Sequence, residues 1–277
     1  MKLEVTANQV RRDTLASIFH AKSGHPGGCL SCIDILVVLL KLGFFDNDPC
    51  KKFVLSKGHS APALYAIGLQ AGLIKRNDLR HLRKLGSKLQ GHPDVTHTPW
   101  VLASTGSLGQ GFSAAVGIAL GHKFLKTECS VVSMLGDGEL QEGQIWEGAM
   151  FSAHHNLNNL IAIIDYNKLQ SDDLNSNVMN IEPVSEKWAS FGWETIIING
   201  HSFVEIEQGI LTAKANLRSP TVIIANTVKG KGIEYMENSP LWHGSVTLRE
   251  EELRSALSSL QTSEANIEAY LTGRIWE

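Results

Sequence analysis

Two apolar runs that each end on an oxygen-bearing side chain constrain this sequence more than any other feature. Residues 130–135 (SVVSML) and 160–164 (LIAII) are typical of buried parallel strands. The first run is followed by Gly-Asp-Gly with Asp137 at its centre, and the second is followed by Asn167. A helical pattern lies between them, so the segment predicts a β-α-β crossover whose strands end at one edge of a parallel sheet. Open α/β sheets bind ligands at that edge.

The side chains at these two strand ends suit a metal-bound diphosphate. The Asp137 carboxylate and the Asn167 amide oxygen are hard ligands, of the kind that Mg²⁺ takes together with phosphate oxygens. Gly136 and Gly138 would let the backbone approach a phosphate closely. Taken alone, Gly-Asp-Gly indicates only a turn, and an asparagine after a strand is common in loops. The pairing of the two at one sheet edge favours the diphosphate site over the turn.

Composition sets the class of protein and argues against several functions. The chain has 277 residues, of which 43% are hydrophobic, and this predicts one large α/β domain rather than two small ones. A net charge of −3 gives no electrostatic basis for binding nucleic acid or an anionic membrane. The N-terminal residues lack the apolar core of a signal peptide, and the longest apolar stretch, residues 33–40, is too short to span a bilayer. We therefore expect a cytoplasmic protein.

Helical and strand patterns alternate along the rest of the chain. The predicted helices cover 5–20, 30–42, 61–71, the stretch from the glycine-rich loop 104–111 through 125, and 203–217, and the further strands cover 52–55, 194–198 and 221–225. A surface loop is predicted over 172–184. Sequential β-α-β units predict an α/β fold with a three-layer, doubly wound parallel sheet. We assign this domain to residues 1–246 and a C-terminal helical tail, leading off the domain, to residues 247–277.

Cysteine and histidine placement add weaker signals. Cys29 and Cys32 form a C-x-x-C pair entering an apolar helix, and Cys50 and Cys129 supply no second pair at zinc-ligand spacing. We interpret the pair as buried small hydrophobic residues. Glycine flanks six histidines, which a loop could present to a ligand or simply leave solvated: His25, His59, His92, His122, His201 and His243.

Seven segments in order resemble the N-terminal, diphosphate-binding half of the transketolases over essentially the whole chain. They are SGHPGG at 23–28, FVLSKGH at 53–59, GHP at 91–93, GSLGQG at 106–111, LGDGELQEG at 135–143, DYNKL at 165–169 and WHG at 242–244. The Gly-Asp-Gly at 136–138 and Asn167, with 28 residues between Gly138 and Asn167, resemble the two ends of the thiamine diphosphate motif. Two departures are Tyr166, where the motif usually has a first asparagine, and Ser107, where a proline is common.

The resemblance implies a thiamine diphosphate-binding fold and a role for each matching residue. Asp137, the Asn167 side chain and the Leu169 carbonyl would hold Mg²⁺, or another divalent cation such as Ca²⁺ or Mn²⁺. The implied cofactor-binding residues are His59, Gly106, Ser107, Leu108, Gly138, Glu139, Asn167 and His243, with the loop 106–108 along the aminopyrimidine. The implied catalytic residues are His25, His92 and His243 around the ketose, and Glu142, which would link two cofactor sites across a dimer.

These roles make chemical sense for a transketolase. Thiamine diphosphate acts as the electron sink. The protein must take a proton from the ketose hydroxyl and return one to the new alkoxide. Histidine, whose pKa is near neutrality, suits that exchange. The remaining histidines, His122 and His201, match no family position.

The resemblance also implies a partner chain. A full transketolase has a second part that binds the pyrimidine and grips the substrate phosphate, so we expect a C-terminal, pyrimidine-binding transketolase subunit in an α2β2 assembly acting on sugar phosphates. Xylulose 5-phosphate is the default donor, with a specialised ketose phosphate or a sulfosugar as alternatives. Other open alternatives are a 2-oxo acid decarboxylating chain, a chain like the deoxyxylulose phosphate synthases and a non-catalytic paralogue. The synthases differ around these histidines, and the α subunits of 2-oxo acid dehydrogenases share only the metal motif.

Overall fold

Helices and strands alternate along the chain, as the sequence pattern predicts. The computed structural model describes residues 2–46, 48–171, 173–244 and 246–277. The helices are α1 (Leu3–Ala21), α2 (Pro26–Lys41), α3 (Ala61–Gln70), α4 (Gln110–Phe124), α5 (Gly143–His154), α6 (Asn175–Val178), α7 (Val184–Ser190), α8 (Phe203–Ala215), α9 (Glu250–Ser259) and α10 (Glu264–Thr272). The strands are β1 (Lys51–Leu55), β2 (Ser130–Gly136), β3 (Leu160–Tyr166), β4 (Leu169–Gln170), β5 (Asp173–Leu174), β6 (Glu194–Asn199) and β7 (Thr221–Asn226).

Five of the strands form one parallel sheet in the order β1-β2-β3-β7-β6. Because all five run in the same direction, their carboxyl ends lie along a single edge. In the ladder between the two central strands, Gly136 pairs with Asp165. This register brings the residues that follow β2 beside those that follow β3.

Helices cover both faces of the sheet, which is the predicted three-layer, doubly wound arrangement. Successive side chains of β3 alternate between two apolar clusters: Ile161 and Ile163 face one, and Ala162 and Ile164 face the other. The first cluster is completed by α1, α2, α3 and α8, and the second by α4, α5 and α7. This is why the strands are apolar at nearly every position.

Local differences from the predicted elements have identifiable causes. Helix α2 begins four residues earlier than expected, because Pro26 occupies its first turn, where proline is favoured. Within the predicted loop 172–184, residue 172 lies outside the described residues, and the remainder contains β5 and the short helix α6. Residues 76–81, which lie outside the predicted helices and strands, form a 3₁₀ helix.

The C-terminal tail does not lead off the domain, contrary to the prediction. Helices α9 and α10 pack against α1, and Leu253, Leu257 and Tyr270 are buried in the same apolar cluster as α1 and α2. The Tyr270 hydroxyl accepts a hydrogen bond of 2.7 Å from Gln9. A division of the chain at residue 246 stays a prediction. In the described part of the chain, no helix is long and apolar enough to cross a membrane.

Candidate active site at the carboxyl edge of the sheet

Asp137 joins the two strand ends that the sequence singled out. Its Oδ1 accepts a hydrogen bond of 2.8 Å from the Gly138 amide, and its Oδ2 accepts one of 2.5 Å from the Lys168 amide. The carboxylate is almost fully buried, and burial together with the nearby Asp165 charge raises its pKa to about 6. A buried carboxylate whose charge is this poorly compensated is a place where a cation would be stabilised.

The oxygen atoms around Asp137 fit a hard divalent cation. Asn167 Oδ1 accepts a hydrogen bond of 3.2 Å from the Leu169 amide, so the amide oxygen is held at the same turn. Among the described residues, no three His, Cys, Asp or Glu side chains are grouped to hold a metal ion. A metal here would therefore be held by one carboxylate, one amide oxygen and one carbonyl, with the remaining positions left to phosphate and water, as Mg²⁺ commonly accepts.

Lys229 is a functional candidate that the sequence analysis missed. Its ammonium donates a 2.7 Å hydrogen bond to the Leu169 carbonyl, the third predicted metal ligand. Burial lowers the pKa of Lys229 to about 8, although Asp137 opposes that shift. The sequence signal was the Lys-Gly-Lys-Gly run at 229–232, in which Gly230 and Gly232 have φ of +81° and +93°. This cation is placed to meet either a carbonyl or a phosphate.

A second missed feature is the buried ion pair of Lys57 and Asp165. Lys57 contacts the Asp165 carboxylate and donates to the Gly28 carbonyl at 2.9 Å. Asp165 also accepts hydrogen bonds of 2.5 Å from Ser31 and Thr227. Burial alone would raise the pKa of Asp165, but Lys57 and these hydrogen bonds outweigh burial and lower it. With its oxygens occupied in this way, Asp165 fixes the end of β1 and the start of α2 instead of facing the cavity.

Three of the predicted histidines meet over this edge. The ring centroids of His25 and His59 are 5.4 Å apart, those of His59 and His243 are 5.6 Å apart, and those of His25 and His243 are 6.0 Å apart. His59 and His243 line a cavity of about 150 Å³ together with Asp137, Asn167 and Lys229. The structure thus brings residues from five separate stretches of chain to one cavity.

These histidines are neutral near pH 7, which corrects the expectation of a near-neutral pKa. Burial, and next the positive charge of Arg83, lowers the pKa of His25 to about 4. Burial, and next Lys229, lowers the pKa of His243 to about 3. The Nδ1 atoms of His25 and His243 are buried with no hydrogen-bond partner among the described residues. They are free to bind the polar groups of a ligand.

The glycine-rich loop closes the cavity on the side of α4. Gly106 has a φ of +147°, and a Cβ there would lie 3.0 Å from Cγ of His92, so this glycine lets the His92 ring approach. Burial lowers the pKa of His92, and next in importance is the charge of Arg83. Leu108 lines the cavity and its carbonyl accepts a 2.8 Å hydrogen bond from Gln144, whereas Ser107 is exposed.

Two predicted glutamates have different surroundings. Glu139 lines the cavity, but its carboxylate is nearly fully buried and accepts hydrogen bonds from Ser56 at 2.5 Å and from the Gly109 and Gly136 amides at 2.8 and 3.0 Å. Its side chain therefore ties the glycine-rich loop to the end of β2. Glu142, in contrast, is exposed at the rim of the cavity.

The residues without a family match have structural roles. His201 Nδ1 lies 2.8 Å from Asp34 Oδ2, and its Nε2 accepts a 2.8 Å hydrogen bond from the Val228 amide. His122 Nδ1 lies 2.8 Å from the Thr127 hydroxyl. Cys29 and Cys32 are fully buried, and burial raises the pKa of each thiol to about 12, in keeping with the small hydrophobic residues that were predicted.

Known proteins share this sequence and fold. A family model described as "Transketolase, thiamine diphosphate binding domain" matches residues 3–267. The 6-deoxy-6-sulfo-D-fructose transketolase subunit of Clostridium sp. (strain MSTE9) is 39% identical over 268 residues, which are 94% of this chain and 96% of that protein. An apulose-4-phosphate transketolase subunit from Phocaeicola vulgatus is 36% identical, with 90% of each chain covered.

Longer relatives match in part of their length. Human transketolase is 41% identical over 249 residues, which are 87% of this chain and 39% of that protein. The transketolase structure from Campylobacter jejuni superimposes with a TM-score of 0.87 at 30% identity, covering 98% of this chain and 46% of that one. The α/β thiamine diphosphate-binding fold that the sequence implied is thereby confirmed. This chain belongs to the transketolase family and contains its thiamine diphosphate-binding domain.

Proposed function

We propose that the chain is the diphosphate-binding subunit of a two-chain transketolase that depends on thiamine diphosphate and a divalent cation, by preference Mg²⁺. It would transfer a two-carbon ketol unit from a ketose phosphate to an aldose phosphate. The observation that carries the proposal is that Asp137, Asn167 and Leu169 line one cavity with His59 and His243, and that the His25 ring lies beside both of these histidines. A simple turn could account for the oxygen-bearing groups at the strand ends, but it would not account for the histidines beside them.

The oxygen ligands would hold the metal and, through it, the diphosphate. Asp137 supplies the charge, since among the described residues its carboxylate forms no ion pair and the Lys229 ammonium donates its hydrogen bond to the Leu169 carbonyl. On metal binding, Lys229 would exchange the Leu169 carbonyl for a phosphate oxygen, which an ammonium binds more strongly. His59, His243 and the Gly138 amide complete a cradle of donors. When bound, the cofactor supplies the carbanion and the electron sink for cleavage of the carbon–carbon bond.

The histidines would handle the protons of the sugar. A neutral imidazole has one N–H donor and one nitrogen acceptor, so His25 and His243 can each accept a proton from one oxygen or donate one to another. Their lowered pKa means that the protonated form is short-lived and returns its proton readily. His92, on the far side of Gly106, would add a further donor near the reacting oxygens.

Two kinds of support favour a partner chain. The relatives of nearly the same length are named as subunits, whereas this chain corresponds to 39% of human transketolase. Glu142 is exposed at the rim of the cavity, where a second polypeptide could reach it. We propose an α2β2 complex in which a C-terminal, pyrimidine-binding subunit clamps the cofactor and selects the sugar. The names of the two subunit relatives support testing 6-deoxy-6-sulfofructose and apulose 4-phosphate as donors beside xylulose 5-phosphate.

The test is ketol transfer by the chain alone and by the chain co-purified with the product of the neighbouring reading frame. Xylulose 5-phosphate, 6-deoxy-6-sulfofructose and apulose 4-phosphate would each be offered with ribose 5-phosphate or glyceraldehyde 3-phosphate, thiamine diphosphate and Mg²⁺. We expect turnover only in the pair, and a loss of at least about 100-fold in Asp137→Ala. A pair that binds the cofactor but decarboxylates pyruvate without ketol transfer would contradict the proposal.

A further inference from the structure

Cys50 and Cys129 lie opposite each other at the amino edge of the sheet. Cys50 directly precedes β1 and Cys129 directly precedes β2. The two strands are parallel, with Lys51 paired to Ser130, and the Ser130 amide donates a 2.9 Å hydrogen bond to the Cys50 carbonyl. This hydrogen bond belongs to the Lys51–Ser130 pair, and the two cysteines are the residues that immediately precede that pair. The ends of the two strands therefore place them next to each other, although 78 residues separate them in the sequence.

This placement is compatible with the geometry of a disulfide. Neighbouring strands lie about 4.8 Å apart, and paired residues direct their side chains to the same face. A disulfide requires Cα atoms about 4.4–6.8 Å apart with Cβ vectors that converge. The neighbouring Cys129 side chain raises the pKa of the Cys50 thiol. The Cys129 thiol also donates to the Pro49 carbonyl at 3.5 Å, which keeps its sulfur on the side of Cys50.

The two thiols differ in their exposure to solvent, so that an oxidant can react with one before the other. Cys50 is exposed and Cys129 is 3% exposed. An oxidant therefore meets Cys50 first, and Cys129, at the start of the neighbouring strand, is the thiol placed to react with it next. The other pair is not comparable: Cys29 and Cys32 are fully buried in α2, and the Cys32 thiol lies against carbonyls of its own helix. Oxidation would thus select one pair of the four cysteines.

We propose that Cys50 and Cys129 are a redox modification site that closes to a disulfide in the presence of a peroxide or a small-molecule disulfide. With hydrogen peroxide, the Cys50 thiol reacts through its thiolate, takes up one oxygen atom to become a sulfenic acid and expels hydroxide, which the proton lost from the thiol converts to the first water. The Cys129 sulfur then attacks the Cys50 sulfur and releases the second water. Two thiols are oxidised by two electrons and one peroxide is reduced to two waters. With glutathione disulfide, two successive exchanges release two glutathione thiols.

The disulfide would link the edge strand covalently to its neighbour, at a distance from the proposed active site. It joins the amino ends of β1 and β2, whereas the histidines and Asp137 lie beyond the carboxyl ends, about 17–26 Å away at 3.3 Å per residue. Strand β1 is the edge of the sheet and leads directly into Lys57 and His59. Because the bond closes a loop of about 80 residues, we expect it to raise the Tm of the chain by about 5–10 °C.

The experiment treats the reduced, folded chain with hydrogen peroxide or glutathione disulfide, removes the oxidant, unfolds the chain, blocks the remaining thiols with N-ethylmaleimide and maps the peptides by mass spectrometry. We expect loss of two hydrogens, a linked peptide pair containing Cys50 and Cys129, two alkylated thiols at Cys29 and Cys32, and a higher Tm that dithiothreitol reverses. Cys50→Ser, at an exposed position, should keep the fold and lose both the link and the rise in Tm. Cys32→Ser is the matched control and should retain both.

Three results would overturn the proposal. The first is a stable glutathione adduct or sulfinic acid on Cys50 with Cys129 still alkylated. The second is a disulfide that joins two chains through Cys50, seen as a dimer on a non-reducing gel. The third is an intramolecular link that leaves the Tm unchanged and forms equally in the Cys50→Ser variant through another cysteine.

Discussion

Asp137 and Asp165 are buried carboxylates at the ends of neighbouring strands, and their surroundings separate their roles. Asp165 contacts the Lys57 ammonium and accepts hydrogen bonds from two hydroxyl groups. Among the described residues, Asp137 accepts hydrogen bonds from only two backbone amides. Its pKa is raised to about 6, whereas the pKa of Asp165 is lowered. A carboxylate that the fold has already neutralised is structural. One that the fold leaves charged and underpaired can be retained for a ligand.

Replacement of aspartate by asparagine should therefore have opposite effects on stability at positions 137 and 165. Because the folded pKa of Asp137 lies above its unfolded value, its contribution to stability is lost as pH rises through about 6. Without metal or cofactor, we expect Asp137→Asn to raise the free energy of unfolding at pH 7.5 by about 1–3 kcal/mol and by about half as much at pH 5, where the unfolded carboxyl is already ionised. Asp165→Asn leaves Lys57 buried and unpaired, and we expect a loss of about 3–5 kcal/mol. Urea denaturation at both pH values measures the difference.

Asp137→Asn should also abolish metal-dependent cofactor binding in the assembled complex. Equal destabilisation by the two variants would contradict the assignment, because it would make Asp137 a structural carboxylate like Asp165. An unchanged affinity for Mg²⁺ and thiamine diphosphate would contradict it independently of stability.

At the scale of elements, the exit from β1 organises the site. Successive residues after the strand each make a different long-range contact: Ser56 donates to Glu139, Lys57 binds Asp165, and Gly58 packs on the backbone of Gly106. His59 follows at once. One short edge strand thus fixes the glycine-rich loop, the ion pair and the first histidine relative to each other.

Gly58→Ala tests this close contact. A Cβ at Gly58 would lie 2.7 Å from the Gly106 amide nitrogen, and backbone atoms can yield only by moving the loop. We expect a loss of about 1–3 kcal/mol in the free energy of unfolding, with weakened cofactor binding in the complex. Gly117→Ala in α4 is the matched control, since a Cβ there meets nothing within 4 Å and should stabilise the helix by about 0.5–1 kcal/mol. A stable, fully binding Gly58→Ala variant would argue against the tight contact.

At the scale of the whole molecule, the site is open on the side where Glu142 lies. Glu142 is exposed in the single chain and begins α5 as its N-cap residue. In a complex of the proposed kind, a partner would cover this rim and the carboxylate would gain a hydrogen bond.

We therefore expect Glu142→Gln to leave the Tm of the isolated chain unchanged and to weaken thiamine diphosphate binding by the assembled complex about 5–100-fold. Titration calorimetry of the complex measures the affinity. Glu147→Gln, at another exposed position of α5, is the matched control and should behave like the natural chain. Two variants with the same affinity as the natural complex would remove Glu142 from the interface.

Much of the fold could be predicted from the sequence because the relevant signals are local. The apolar runs of β2 and β3, the helices between them and the ligands at their ends each occupy a few consecutive residues. A parallel sheet then brings all carboxyl ends to one edge, so Asp137 and Asn167 could be placed together from the sequence pattern. The histidines required the family resemblance, since glycine-flanked histidines such as His201 also occur at purely structural positions.

Local patterns in the amino-acid sequence were enough to establish the order of the elements, the α/β class and the strand ends that carry the site, because apolar periodicity and turn chemistry are local. Other features emerged only from the folded chain: the Lys57–Asp165 pair, the position of Lys229, the lowered pKa of the histidines, the packing of α9 and α10 on α1 and the meeting of Cys50 with Cys129. Each of these depends on burial or on contact between residues far apart in the chain. Neither property is encoded at a single position, because both arise when the whole sheet and its two helical layers have assembled.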